Sequence, residues 1–417
     1  MFLSVIVAVV LLVCTPFVLS RFVDLPKNVK LLFVAQPLVM SASPVIVFIG
    51  GILSTQLASD PKLATLPLTL MILGVASASI PAAMLAKYKG RKFATLTGFA
   101  CAFLASILAI IATQISSFEL FMLASLFFGF STSFVQQLRF AAIESTQNLN
   151  DVPKILSVLM LSGLFAAFLG PEVAVVGMHI IDSPHGFTGS FAILSLLIVM
   201  AALVMTGFKN PEMQSEKEHT GSRPFSTIIK QPIFIIALLT GAIGYALMSY
   251  LMTATPLSMH QMNGHSLEHT KLVIQSHIGA MFIPSLFTTW LVNKFGIKTL
   301  MLTGTILYAV VILIALSGEQ VLHYWWVLVL LGVGWNFLFL SGTTLLPYSY
   351  KENEKHKVQA TNDFILFGLQ ALASLMAGWT LFNAGWNTVV MSAFPFVITL
   401  FIVSIYFYRK EKALAHN

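Results

Sequence analysis

The chain alternates between long apolar stretches and short polar gaps. Strands of a membrane barrel would be about ten residues long and would alternate apolar with polar side chains, whereas helices need about 20 apolar residues to cross a bilayer. Thirteen stretches meet the helical requirement, at residues 2–20, 29–56, 64–86, 93–113, 118–143, 154–178, 187–208, 232–257, 271–293, 297–317, 322–348, 358–382 and 386–408. The pattern predicts an all-α integral membrane protein.

Lysine and arginine occur almost entirely in every second gap. The basic gaps include the tail, with Arg409, Lys410 and Lys412, whereas the alternate gaps hold only Lys62 and Lys271. Because basic loops stay on the cytoplasmic side, we expect a bacterial inner-membrane protein with a cytoplasmic C-terminus. This asymmetry explains the net charge of +7, so nucleic acid is not an expected partner.

Two blocks of similar length follow the first stretch. Residues 27–208 and 232–408 each contain six apolar stretches, and the polar linker 209–231 joins them. Equal halves joined by a charged linker are typical of a duplicated transporter. We therefore expect two six-helix bundles with pseudo-two-fold symmetry, preceded by an extra hydrophobic segment at 1–26 and followed by a tail at 409–417.

The first apolar stretch has three interpretations. It lacks a preceding basic region and is followed by positive charge, which favours a retained extra helix over a signal cleaved after Ser20. A misassigned start codon would also explain a count above twelve. The chain has two cysteines, Cys14 and Cys101, which lie far apart in apolar stretches and predict neither a disulfide nor a thiol metal site.

A gap in the first block resembles a known family signature. Residues 83–92 read AMLAKYKGRK, which resembles the signature between the second and third helices of the major facilitator superfamily, with Gly90, Arg91 and Lys92 as signature-loop residues. That signature normally begins with Gly and carries Asp at the position of Lys87. The sequence departs from it at both places.

A weaker copy of the signature occupies the equivalent gap of the second block. Residues 291–298 read LVNKFGIK. The resemblance spans about residues 27–410 and implies the superfamily's twelve-helix transporter fold.

Two further stretches resemble subgroups of the superfamily. Residues 163–172, GLFAAFLGPE, resemble the Gly-Pro element of drug/proton antiporters, in which small residues allow close helix packing and the proline bends the helix. Residues 332–339 and 252–260 look like a bacterial subgroup for which riboflavin uptake has been proposed. The first likeness implies efflux and the second implies uptake.

Polar side chains inside apolar stretches are costly unless they line water or find partners. Aromatic and amide side chains without a cluster of charges suit a largely neutral, flat or heterocyclic substrate. A polar stripe can equally be a seam between helices. The predicted substrate pathway consists of Gln36, Ser133, Gln136, Tyr245, Trp335, Asn336, Gln370 and Ser374.

Four ionisable residues inside the stretches are candidates for proton coupling or gating. Glu172 is the deepest acid and is our first choice for a proton carrier, against a hydrogen-bonded structural role. His277 is our second choice. Arg139, near Glu144, is expected to form an inner gate or ion pair or to contact an anionic substrate group. Asp363 is the fourth candidate for proton coupling or gating.

Histidines crowd one outer gap. His260, His265 and His269 lie close together, but the order His-Ser-Leu-Glu-His is not the metalloprotease motif, so we expect an exposed polar loop and no metal. The chain has no Walker motif, no Gly-rich cofactor loop and no nucleophile beside a base. Neither a cofactor nor an enzymatic activity is expected.

These patterns together predict a secondary active transporter. It would move a small organic solute across the membrane by alternating access, with a proton gradient as the expected energy source. A drug or metabolite efflux antiporter and a non-transporting receptor or scaffold are the alternatives. The expected partners are a small molecule, the lipid bilayer and protons, and we expect a monomer.

Overall fold

The computed structural model describes residues 2–21, 24–146, 152–178, 180–210, 223–351 and 354–414. Every regular element in these ranges is helical. The helices are α1 (Phe2–Leu19), α2 (Lys27–Met40), α3 (Ala42–Leu57), α4 (Leu66–Lys89), α5 (Arg91–Ile115), α6 (Phe118–Gln136), α7 (Leu138–Ile143), α8 (Val152–Gly177), α9 (Thr188–Thr206), α10 (Phe225–Ile228), α11 (Pro232–Pro256), α12 (Leu267–Phe282), α13 (Thr288–Ser317), α14 (Val321–Leu345) and α15 (Lys355–Leu414).

Nine helices in the described part of the chain are long and apolar enough to cross a bilayer. One of them, Thr361–Arg409, has 49 residues and is broken at Gly385, so it is long enough for two crossings. Two shorter apolar helices, Leu3–Leu19 and Leu161–Gly177, occupy predicted stretches as well. The count of twelve core helices plus one stays a prediction.

The predicted helix at 271–293 is interrupted. α12 ends at Phe282, a 3₁₀ turn follows at Ile283–Phe287, and α13 begins at Thr288. Pro284 lies in the turn, and its ring nitrogen has no N–H to offer the preceding carbonyl groups, which ends the α-helical hydrogen bonding. Hydropathy does not detect this break because the turn is as apolar as the helices beside it.

The two signature-like segments share one backbone conformation. Gly90, between α4 and α5, has φ 86° and ψ 161°, and Gly296, inside α13, has φ 74° and ψ 158°. Positive φ with extended ψ is a conformation that essentially only glycine adopts. Both blocks therefore make the same sharp helix-to-helix turn.

Large apolar side chains cover the outside of the molecule. Ile80, Leu203, Leu313 and Ile402 are each more than 60% exposed, which in water would be a strong liability but in a bilayer is favourable. Inside, small residues let helices approach closely. A stripe of buried small residues runs along α5 at Ala94, Gly98, Ala102, Ala105, Ala109 and Ala112.

The two halves, residues 27–208 and 232–408, contact each other through three main helix pairs. These pairs are α4 with α15, α8 with α12, and α3 with α11. The helix ends at Lys89 and Thr206 define one face of the molecule, which we call the linker face. The helix ends at Leu57 and Thr188 define the far face.

The halves close against each other near the far face. Thr65 Oγ1 donates a hydrogen bond to the carbonyl oxygen of Leu375 (3.2 Å), and a Cβ atom on Gly378 would lie 2.7 Å from the Thr65 side chain. Gln275 Nε2 donates to the carbonyl oxygen of Phe168 (3.1 Å). Each contact joins one half to the other, so the far face is sealed.

The linker face has a different arrangement. Arg91 and Glu144 form an ion pair there that lies within the first half. Arg139 and Asp363 belong to different halves, and both are exposed. The cleft between the halves is therefore open toward the linker face.

Candidate functional site

Charged groups from the two halves face each other across the cleft. The Asp363 carboxylate on α15 lies close enough to Arg139 on α7 and to Tyr245 on α11 to act electrostatically on both. The Arg139 guanidinium sits 4.7 Å from the centre of the Phe140 ring, a cation–π distance. Asp363 Oδ1 accepts a hydrogen bond from Asn362 (3.1 Å). The cleft thus combines one cation with one anion.

Four aromatic rings, which we call the aromatic cluster, lie beside Asp363. Tyr245 contacts the rings of Trp335, Phe339 and Phe367 at centroid distances of 5.1, 5.7 and 5.9 Å, each edge to face. Trp335 and Phe339 lie 5.1 Å apart with only 7° between their planes. Three helices, α11, α14 and α15, supply these rings. The faces of the four rings suit a flat aromatic ligand.

Two buried polar atoms, one on α14 and one on α15, lack partners among the described residues. Trp335 Nε1 and Ser374 Oγ are buried and have no hydrogen-bond partner there. Buried polar groups in proteins are nearly always paired. Gln370, one turn before Ser374 on α15, is also buried. The indole N–H and the hydroxyl are therefore available to a bound molecule.

One predicted polar stripe follows α15 from the open cleft to the closed far face. Asp363 is exposed, Phe367 belongs to the aromatic cluster, and Gln370 and Ser374 are buried. Gly378, one turn further, packs on Thr65 of α4. The stripe therefore connects the cleft to the sealed contact between the halves.

The first half contributes fewer of the predicted pathway residues. Gln36 is partly exposed, its Nε2 lies 4.0 Å from Met40 Sδ, and Gln136 is exposed. Ser133 is buried one turn from Gly129, which packs against the backbone of α4. Ser133 thus lies one turn from a close helix–helix contact, and its place in the substrate pathway stays a prediction.

Asn336 lies in a helix seam. Its Nδ2 donates to the carbonyl oxygen of Met281 (2.8 Å) at the end of α12. That carbonyl precedes the 3₁₀ turn containing Pro284, where N–H donors are missing. The amide thus supports the interrupted helix, in contrast to the neighbouring Trp335, which belongs to the aromatic cluster.

His277 is fully buried between α12 and α14. Its Nδ1 lies 2.7 Å from the carbonyl oxygen of Leu328, and because a carbonyl can only accept, Nδ1 carries the proton in this contact. Nε2 has no partner among the described residues. Both contacting helices belong to the second half, so this contact does not join the two halves.

Glu172 is buried but is not isolated. Its Oε1 accepts a hydrogen bond from Ser4 Oγ of α1 (2.6 Å), and its Oε2 lies 3.0 Å from Lys271 Nζ of α12. The sequence identified the acid but not these two partners, which lie 168 and 99 positions away. In the sequence, Lys271 stands out only as one of two basic residues in gaps that otherwise lack Lys and Arg.

The signature loop is fastened to the first half. Arg91 Nε and Nη2 donate to the two carboxylate oxygens of Glu144 (2.9 and 2.6 Å), so Glu144 pairs with Arg91 and not with Arg139. The backbone N–H of Lys92 donates to Asn210 Oδ1 (2.8 Å). A Cβ atom on Gly90 would lie 2.7 Å from the same amide. The loop, which connects α4 to α5, is thereby held against the ends of α7 and α9.

The second half has an ion pair of its own at the linker face. Arg223 Nη2 lies 2.6 Å from Glu354 Oε2, and Arg223 also donates to the carbonyl oxygen of Ser349. Hydrogen bonds from Arg223 lower the pKa of Glu354 to about 2. Arg223 comes from the polar connection between the halves, which is thereby attached to the second one.

The histidine-rich gap forms a compact loop. His260 Nδ1 lies 2.9 Å from the carbonyl oxygen of His265, and His265 Nε2 lies 2.9 Å from that of Glu319. Each of these two imidazole rings therefore contacts a backbone carbonyl oxygen. Among the described residues, no group of three His, Cys, Asp or Glu side chains is arranged to hold a metal ion.

Comparison with known proteins identifies relatives along nearly the full length. The chain is 36% identical over 391 residues to the riboflavin transporter RfnT of Brucella anthropi, covering 93% of this chain and 97% of that protein. It is 26% identical over 424 residues to the uncharacterized MFS-type transporter YddS of Bacillus subtilis, covering 95% and 97%. YdeG of the same organism is 26% identical over 410 residues, covering 93% and 94%.

A solved structure shares the fold. The human organic anion transporter MFSD10 superposes with a TM-score of 0.63 at 12% identity, covering 90% of this chain and 98% of that one. The family model described as Major Facilitator Superfamily matches residues 31–361 and 251–417. The protein is a multi-pass membrane protein that functions in transport across the membrane. Its sequence and its fold agree that the chain belongs to the Major Facilitator Superfamily.

Proposed function

We propose that this protein transports riboflavin or a closely related flavin by secondary active transport. The observation that carries the proposal is the aromatic cluster beside an open cleft, because flat heteroaromatic rings bind well on aromatic faces. The 36% identity to a riboflavin transporter over 93% of the chain supports the same substrate. Transport of this class matches the predicted neutral, flat solute.

The polar groups around the cluster suit such a ligand. The Trp335 N–H can donate to a ring carbonyl, and the Ser374 hydroxyl can donate or accept. Arg139 and Asp363 offer hydrogen bonds to hydroxyl groups of a side chain while their charges offset each other. Because the site carries no excess charge, we expect it to favour riboflavin over its phosphorylated forms.

The direct test is flavin uptake. Cells that can neither make riboflavin nor import it should grow on low micromolar riboflavin when they express this protein, and labelled riboflavin should enter with saturable kinetics. Unlabelled riboflavin should compete, whereas free ribitol should not. Growth and uptake no better than with an empty vector, with the protein present in the membrane, would contradict the proposal.

Alternating access provides the proposed mechanism. The far face is closed and the cleft is open to the linker face, which corresponds to one of the two end states of such a cycle. We infer that the two halves, residues 27–208 and 232–408, move against each other about the central site. The linker face would lie in the cytoplasm of a bacterial inner membrane, with the protein acting as a monomer.

Proton coupling is proposed for Asp363, since it is exposed in the cleft and opposes Arg139. Glu172 already has two partners, and His277 is buried within one half. We expect Asp363→Asn to abolish riboflavin accumulation driven by a proton gradient while at least half of the riboflavin exchange between equal pools remains. Measurements in proteoliposomes distinguish these two rates.

The control is Asp60→Asn. Asp60 caps a short turn outside the cleft by accepting from the Lys62 N–H, so it should leave both rates unchanged. If Asp363→Asn accumulates riboflavin as the wild type does, Asp363 does not carry the proton.

Efflux is the second candidate function. Residues 163–172 resemble the antiporter element, and a Cβ atom on Gly170 would lie 2.5 Å from Pro44, so this element packs closely on α3. Loading inside-out and right-side-out vesicles with riboflavin separates the two directions. Net export under a physiological gradient would favour efflux, and no movement of any solute would favour a receptor.

A further inference from the structure

The N-terminal helix α1 reaches the contact between the two halves. It packs along α8 and α2, and large side chains such as Leu3, Ile6 and Val10 remain exposed on its outer side. Because α1 precedes Lys27 of the linker face, its first turn lies at the far face. That turn carries Ser4.

Ser4 and Lys271 share one carboxylate. Ser4 Oγ donates to Glu172 Oε1 at 2.6 Å, and Lys271 Nζ lies 3.0 Å from Glu172 Oε2. Glu172 belongs to the first half, Lys271 to the second, and Ser4 to neither. The side chains of Glu172 and Lys271 are only 11% and 14% exposed, so water cannot easily replace either partner.

The surrounding groups extend this contact. Lys271 also lies 2.7 Å from Glu268 on its own helix, so one ammonium serves two carboxylates. One turn further along α12, Gln275 donates to the Phe168 carbonyl oxygen of α8. Two polar contacts, one helical turn apart, therefore join α8 to α12. Opening the far face requires both to break.

We propose that α1 is a working part of the far-face gate and that Ser4 is its positioning residue. The Ser4 hydroxyl holds the Glu172 carboxylate in the orientation that Lys271 requires, and hydrogen bonds to charged groups are stronger than those between neutral groups. When the far face opens, water reaches the carboxylate and can replace the hydroxyl. Ser4 therefore stabilises the closed state more than the open one, which shifts the equilibrium toward closure.

The gate is tested by labelling a cysteine behind it. Ser374 is fully buried one turn from Gly378, so Ser374→Cys reports opening when Cys14 and Cys101 are replaced by alanine. A membrane-impermeant maleimide is applied to the far face of the full-length protein in oriented membranes. We expect Ser4→Ala to raise the labelling rate about threefold to tenfold, and Lys271→Met to raise it at least as much.

The double variant shows whether Ser4 acts through the ion pair. Adding Ser4→Ala to Lys271→Met should change the rate by less than twofold, because the pair that Ser4 positions is already lost. Ser4→Thr, which keeps the hydroxyl, should label like the wild type. Thr15→Val is the matched control, since the Thr15 hydroxyl donates to the Leu11 carbonyl oxygen within α1.

Three results would overturn the proposal. They are unchanged labelling in folded Ser4→Ala protein, a full additional effect of Ser4→Ala in the Lys271→Met background, and an intact mass showing that residues 2–20 are absent from the mature protein. The proposal depends on alternating access but not on the solute. Because labelling needs no substrate, it remains interpretable even if riboflavin is not transported.

Discussion

The substitution Gly129→Ala is expected to leave little correctly folded protein. A Cβ atom on Gly129 would lie 2.0 Å from the Met71 carbonyl oxygen and 2.9 Å from Gly74 Cα, both backbone atoms of α4. Backbone cannot rotate away, so α4 and α6 would have to separate. We expect a loss of about 3 kcal/mol or more from overpacking, far above the roughly 1 kcal/mol that alanine gains in helix propensity.

Gly163→Ala is the matched control for this prediction. Gly163 is also a glycine inside a helix of the first half, but no atom of the described residues lies within 4 Å of the Cβ that would be added. It should retain or slightly raise thermal stability. Fluorescence-detected gel filtration after heating measures both variants, and equal melting temperatures for Gly129→Ala and wild type would show that α4 and α6 are not packed this closely.

The substitution Trp335→Ala is expected to weaken riboflavin binding strongly. The indole packs against Tyr245 and Phe339, and it offers the unpaired N–H beside the cleft. Stacking of a base on an aromatic side chain is worth about 1–3 kcal/mol, which corresponds to about fivefold to 150-fold in Kd. Titration of flavin fluorescence with purified protein measures the affinity.

Two further variants isolate the role of the indole. Trp335→Phe keeps a stacking ring but loses the N–H, and we expect an intermediate affinity. Trp326→Ala, on the same helix but 44% exposed on the outside, should bind riboflavin normally. Normal riboflavin affinity in folded Trp335→Ala protein would show that the binding site lies outside the aromatic cluster.

The sequence predicted features whose cause is local. Apolar stretches of about 20 residues indicate helices, because a helix satisfies its backbone hydrogen bonds within its own segment. The two signature-like segments were visible at equivalent gaps of the two blocks. Each contains a glycine, Gly90 or Gly296, in a conformation that essentially only glycine adopts. The stripe on α15, from Asp363 to Ser374, was visible from helical spacing alone.

Features that depend on tertiary contacts could not be predicted. Glu172 was the first choice for a proton carrier, but its partners, Ser4 and Lys271, come from distant helices and could not be identified from the sequence. Asn336 read as a pathway residue, yet its amide serves a carbonyl oxygen of a broken helix whose apolar sequence concealed the break. A polar side chain facing a cavity and one facing a neighbouring helix have the same spacing in the sequence.

The sequence did not predict every member of the aromatic cluster. Phe339 is one of 34 phenylalanines in the chain, and nothing in its position separates it from those that face lipid. Its nearly parallel arrangement with Trp335 results from spacing of four residues on α14, which places both rings on one side of that helix.

The four rings that form the aromatic cluster all belong to the second half of the chain, whereas Arg139 belongs to the first. During a rocking motion the substrate should therefore stay bound to the second half while the first half moves relative to it. Stacking energy would then be nearly constant throughout the cycle. Any difference in substrate affinity between the two sides of the membrane would then have to arise from the first half, which carries Arg139.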